Sequence, residues 1–178
     1  MIDNTDKVLR LLPTLPYRRP APAMPAVLDI LFTKLRHPAS DAEAVEDLIW
    51  DTWMSHRNAG AERVLDKAVD EIARNSLDIA ETRLVRLLRQ CPDYAEAWNK
   101  LSVVLYLSGR DDECAAAICH TLWLEPRHFG ALCQLGELLL SDNDAEGATL
   151  AFLTARRFHP RSTPAVERLK QLAPDLHV

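Results

Sequence analysis

The sequence has no unbroken apolar run of the ~20 residues that a membrane-spanning helix requires, which argues against a bilayer-crossing segment. It has no surplus of basic charge: 21 Lys and Arg against 26 Asp and Glu give a net charge of −5 and a pI near 5.7. That balance disfavours a nucleic-acid binder, because phosphate binding needs a basic surface that displaces counterions. Its four cysteines, Cys91, Cys114, Cys119 and Cys133, show no compact paired spacing, so a disulfide framework is not indicated and a reducing compartment is expected. Cys114, Cys119 and His120 lie close in sequence, but on a helix the two thiols do not converge, and no second pair completes a tetrahedral site; no metal and no cofactor are expected. Neither a glycine-rich phosphate loop nor a Ser/His/Asp order is present, and the chain is read as a non-enzyme with no catalytic residue.

What is present is an ordinary globular composition, 48% hydrophobic and 26% charged, in a chain long enough for one domain with a core. The opening segment is a poor secretory signal, since Arg10 interrupts the apolar run from Val8 and Pro13 ends it. A cytoplasmic location is the expectation, with export reserved for a native product that begins elsewhere. Pro13, Pro16, Pro20, Pro22 and Pro25 predict an extended, proline-rich arm over residues 1–25.

From Ala26 the pattern turns helical. Val27, Leu28, Ile30, Leu31 and Leu35 recur at helical spacing and stop before Pro38. A second helix follows, with Ser40 and Glu43 as a capping box and Gly60 as terminator, and with Val45, Leu48, Ile49 and Trp53 on its apolar side. Residues 26–60 are therefore expected to form a helical hairpin that carries Trp50 and Trp53.

Beyond Gly60, Pro92, Pro126 and Pro160 fall at equal intervals: 126 − 92 = 34 and 160 − 126 = 34. A fixed period of that length signals a stacked repeat array. The units are 61–94, 95–128 and 129–162, each with two helical patterns separated by a polar turn and closed by proline. Small residues recur at matched places (Ala68, Ser102 and Gly136; Ala80, Cys114 and Ala148), facing bulky ones (Val64, Trp98 and Leu132; Leu84, Ile118 and Phe152). This alternation lets two antiparallel helices interlock.

At these residues the chain resembles the tetratricopeptide repeat (TPR) family. The middle unit carries Trp98, Leu101, Tyr106, Gly109, Ile118 and Pro126 where the family pattern places such residues, and the last carries Leu132, Leu135, Gly136, Ala148, Phe152, Ala155 and Pro160. The first unit is degenerate at Lys67 and Glu71. The chain is also similar to short bacterial proteins built of three such repeats, a resemblance that brings no established activity.

The resemblance implies an all-α, right-handed superhelical stack of antiparallel helix pairs. Repeat arrays need terminal units with a polar outer face, and residues 163–178, with Pro164 in the first turn and Val166, Leu169 and Leu172 on one side, are expected to supply a C-terminal capping helix. It further implies an inner groove that binds a peptide or helix of a partner, lined by Glu96, Asn99, Lys100, Val103, Tyr106 and Leu107 in the middle unit and by Cys133, Gln134, Glu137 and Leu140 in the last. At the positions where some family members hold a partner's terminal carboxylate, this chain has Leu65, Val69, Lys100, Gly130 and Gln134; only Lys100 is a cation, which disfavours that mode. Trp50 and Trp53 are expected either to cap the degenerate first repeat, over Leu65, Val69 and Ile72, or to dock a partner. His128 is read as capping a carbonyl or meeting solvent, and Arg156, Arg157, His159 and Arg161 as a solvated basic face. The leading function is a protein-interaction scaffold that binds protein or peptide, with no nucleic acid or membrane as partner. The alternative is a self-associating assembly protein, and an enzyme with an unrecognised site is the weakest reading.

Overall fold

The computed structural model describes residues 4–172. Among these the chain forms ten α-helices and one 3₁₀ segment, with no strand. The helices are α1 (Asn4–Leu11), α2 (Val27–Arg36), α3 (Ala42–Met54), α4 (Ala59–Ala73), α5 (Leu77–Gln90), α6 (Ala95–Leu107), α7 (Asp111–Leu124), α8 (Phe129–Ser141), α9 (Ala145–Phe158) and α10 (Thr163–Leu172). The 3₁₀ segment, Leu12–Tyr17, follows α1 directly.

Three antiparallel pairs, α4–α5, α6–α7 and α8–α9, stack side by side, and α10 packs on α9. Each first helix ends in the same way. Asn75, Gly109 and Asn143, themselves 34 residues apart, have φ of 56°, 67° and 60°. This is the left-handed conformation that glycine adopts freely and asparagine tolerates. The amides that follow, of Ser76, Arg110 and Asp144, donate back to the carbonyls of Glu71, Leu105 and Leu139, closing the same C-terminal motif three times. The pairs therefore leave each turn at one angle and stack in register.

The small residues sit where close approach is needed. Ala68, Ala80, Ser102, Cys114, Gly136 and Ala148 are fully buried beside Leu84, Ile118 and Phe152. A Cβ at Gly136 would collide with the Phe152 ring.

The expected arm over 1–25 is corrected. Residues 4–17 are helical: α1 and the 3₁₀ segment bury Val8, Leu11, Leu12 and Leu15 against the outer helices, α1 lying on α7 with Leu9 reaching Gly147 of α9. Pro13 is tolerated because it lies in the first turn, where amides have no intrahelical partner, whereas Pro16 lies inside the short segment and forfeits one of its bonds. The proline-rich stretch then crosses from the outer to the inner side, pinned by the Ala21 amide on the Leu124 carbonyl at 2.7 Å. The cap of α3 is also corrected. Asp41, not Ser40, accepts from the Ala44 amide, while the Ser40 hydroxyl donates to carbonyls of Lys34 and His37. Nor does Gly60 end α3; it lies in the first turn of α4.

Candidate functional site

The first helices α4, α6 and α8 form the inner face of the stack, and the α2–α3 hairpin lies against the end of that face where these helices begin. Trp53 is only 3% exposed, and its ring stacks on His128 with centroids 4.0 Å apart and planes 10° from parallel. Trp50 meets Trp53, His128 and Phe129 edge-on at 5.2–5.7 Å. Gly130 makes room for it, since a Cβ there would lie 2.5 Å from the Trp50 ring. Phe32 of α2 completes the cluster against Trp53 and Phe129. The tryptophans therefore pack on the junction of the second and third repeats, not on the first. Val69 and Ile72 of the first repeat stay half-buried.

Beneath the rings lies a fully buried carboxylate, Glu96. It accepts from His128 Nε2 at 2.8 Å, Lys100 Nζ at 2.8 Å and Asn99 Nδ2 at 3.2 Å. Burial pushes the Glu96 carboxyl upward, but the hydrogen bond from His128 together with the Lys100 ammonium outweighs it and holds the group below the usual carboxylate range. His128 Nδ1 accepts from the Ala131 amide and so caps α8, which leaves the ring proton on Nε2, facing Glu96. His128 thus neither caps a carbonyl nor meets solvent.

The rim holds the hairpin with residues from equivalent inter-repeat turns. Asp93, Arg127 and Arg161 are 34 residues apart; the two arginines grip the hairpin, and Asp93 grips the segment that leaves it. Asp93 pairs with Arg57 at 2.6 Å, and Arg127, itself held by buried Glu125, pairs with Asp29 at 2.6 Å. Arg161 donates to the carbonyls of Leu35 and His37 at the end of α2, at 3.0 and 3.3 Å, and to that of Ser40 in the following turn at 2.9 Å. His159, 1% exposed, pairs through Nε2 with Glu46 at 2.8 Å. That hydrogen bond lowers the Glu46 carboxyl against the opposing effect of burial, and the Trp50 indole N–H adds to it. His159 and Arg161 are therefore anchors of the hairpin and not a solvated face.

The residues expected to line the groove divide into two groups. Glu96 and Asn99 are buried in the polar cluster, and Lys100 is committed to Glu96, so these three do not form an open lining. Val103, Tyr106, Cys133, Gln134, Glu137 and Leu140 are half-buried, and Leu107 is 54% exposed. Tyr106 and Ser141 share a hydrogen bond between α6 and α8 at 3.2 Å, and Glu137 receives two bonds from Arg168 of α10 at 2.7 and 2.8 Å. Burial pushes the Cys133 thiol up to about 12, so it stays protonated at neutral pH. Among the described residues no cluster of three metal-ligating side chains occurs, and no helix is long and apolar enough to cross a membrane.

Sequence reasoning missed His128, Phe129, Gly130, Arg127 and Arg161 as seat residues. The signal for two of them was the 34-residue register itself, which aligns Asp93 with Arg127 and Arg161. No family model matches the chain. It is 28% identical over 156 residues to a TPR repeat-containing protein of Rhizobium etli, covering 84% of this chain and 74% of that one. The TPR domain of Sgt2 from Aspergillus fumigatus superposes with a TM-score of 0.61 at 15% identity, over 66% of this chain and 80% of that domain. Its fold is the tetratricopeptide-repeat fold. Two further TPR structures agree. The Yersinia enterocolitica type III secretion chaperone SycD, in complex with a peptide of the translocator YopD, gives a TM-score of 0.58 at 11% identity, over 66% of this chain and 89% of that one. The first TPR of Spaghetti (RPAP3), bound to an HSP90 peptide, gives 0.60 at 12% identity, over 66% and 94%. At the TPR positions where a terminal carboxylate would be held, the Trp50 ring covers Gly130, Leu65 is buried, and Lys100 is already paired.

Proposed function

We propose that this chain is a non-enzymatic protein-interaction scaffold that binds a peptide segment or helix of a partner on the inner face of its repeats. The observation that carries the reading is the part of that face beyond the hairpin. There Val69, Ile72, Val103, Tyr106 and Leu140 present half-exposed apolar surface between the polar ends of Glu137 and Ser141. Apolar anchors among a few convergent polar groups suit an extended peptide or a helix. The peptides held by SycD and by the first TPR of Spaghetti support the same mode.

The test is affinity capture with the wild-type chain beside Val103→Asp with Tyr106→Ala, followed by calorimetry with the captured protein once purified. The expected result is a protein retained by wild type and lost by the folded variant. Equal retention would overturn the assignment to this face.

Self-association is the second reading, favoured by Ile79 of α5, 56% exposed, beside half-buried Val85 and Val64 of α4 on the side of the first repeat. It would proceed through that side, since Trp53 is buried within its own chain. Light scattering on a concentrated sample tests it, and a monomer removes it.

A further inference from the structure

The hairpin's seat has the features of a recognition site for a helix. His128 provides a flat platform for one ring, and Gly130 a notch for a second ring three residues earlier. His159 takes a carboxylate one turn before the first ring. Arg161 holds the carbonyls of Leu35 and His37 at the end of α2, a contact that belongs to the hairpin and that a single helix in the place of α3 does not need. None of the other requirements is peculiar to a segment in the same chain.

The hairpin also has the features of a separable occupant. Proline-bearing residues 18–26 and residues 55–58, none of them helical, join it to the rest at its two ends. The paired repeats bury Leu84, Ile118 and Phe152 among their own helices. Trp53 Nε1 and His159 Nδ1 are buried without a protein partner at the contact, and polar atoms so placed make docking weaker than the buried apolar area alone would give.

We propose that the α2–α3 hairpin is the resident ligand of this seat. Its counterpart in trans is a helix with two aromatic residues three positions apart and a carboxylate one turn before the first, which takes the hairpin's place. The proposal rests on reading the inner face as a protein-binding surface, and it names the partner's chemistry.

The probe is a fluorescein-labelled peptide of residues 41–56, titrated by anisotropy into the full chain and into the full chain with Trp50→Ala and Trp53→Ala. Binding to the doubly substituted chain is expected to be at least about tenfold tighter than to wild type, the two chains differing only in the occupant's anchors, and to vanish when both tryptophans of the peptide are alanine. A folded variant that binds no better than wild type would overturn the proposal. Hydrogen exchange of the unmodified chain decides independently of how the variant folds. Amides of α2 and α3 should exchange at least about tenfold faster than those of α6 and α8, and equal protection would show that the hairpin opens only with the whole fold. Neither measurement uses a natural partner. A failed capture with a positive peptide titration therefore removes the function proposed above and leaves the seat, and the converse result removes only the exchange.

Discussion

Trp53 and His128, 75 positions apart in the sequence (128 − 53 = 75), lie face to face with ring centroids 4.0 Å apart. One side of the imidazole is thereby shielded by the indole, while its two nitrogens are spent on Glu96 and on the first turn of α8. A single side chain thus ties the hairpin, the second repeat and the third.

Replacing His128 by Ala leaves Glu96 buried with fewer donors and leaves α8 without its cap. The expected loss is about 1–3 kcal/mol, the range for leaving a buried polar group short of its partner, with Lys100 still paired to the carboxylate. Adding Glu96→Gln should restore part of it, because an amide is cheaper to bury than a carboxylate. Urea unfolding of the two single variants and the double variant measures both effects.

Val at Gly130 would place its branched carbons in the space of the Trp50 ring. A loss of about 1–3 kcal/mol is expected from overpacking, with partial recovery when Trp50→Ala vacates the space. Thermal unfolding of G130V and G130V/W50A decides; no recovery would mean that the ring is not the obstacle.

Asn143 occupies the left-handed region at φ 60°. Asn143→Gly should be close to neutral, whereas Asn143→Val should cost about 1–2 kcal/mol through its β-branch. The same contrast is expected at Asn75, and calorimetric midpoints measure it.

Acid should loosen the hairpin first. Glu46 and Glu96 both titrate below the ordinary 4.5 of a glutamate when folded. Their contribution is therefore complete above that value and is lost as pH falls through the lower folded values. Tryptophan fluorescence should report Trp50 and Trp53 moving into solvent in that window, and Glu46→Gln should flatten the acid limb. An unchanged limb would assign the transition to other carboxylates.

The stack was legible in the sequence because local constraints recur: Pro92, Pro126 and Pro160 end the second helices, and Ala68, Ser102 and Gly136 permit each close crossing. The hairpin was legible as two helices, but its seat was not, since the deciding contacts join residues over 100 positions apart, as Glu46 with His159. Periodicity says which face is apolar and not which surface covers it. In residues 4–17 the prolines outweighed a helical spacing that was present at Val8, Leu11, Leu12 and Leu15. Glu96, at a position implied to line the groove, was drawn inside by His128, whose effect depends on a stacking partner from another element.

Residues 4–58 bestride the solenoid, α1 on its back and α2–α3 at its front, joined by a strap pinned at Ala21. Everything that grips this clasp, from Asp93 to Arg161, leaves the ribosome after it. The newborn chain thus carries Phe32, Trp50 and Trp53 uncovered until the third repeat is made, an interval in which chaperones and other sticky chains compete for those rings. The clasp can close fully only once the third repeat is in place, and a chain cut short before Arg161 lacks one of its holds.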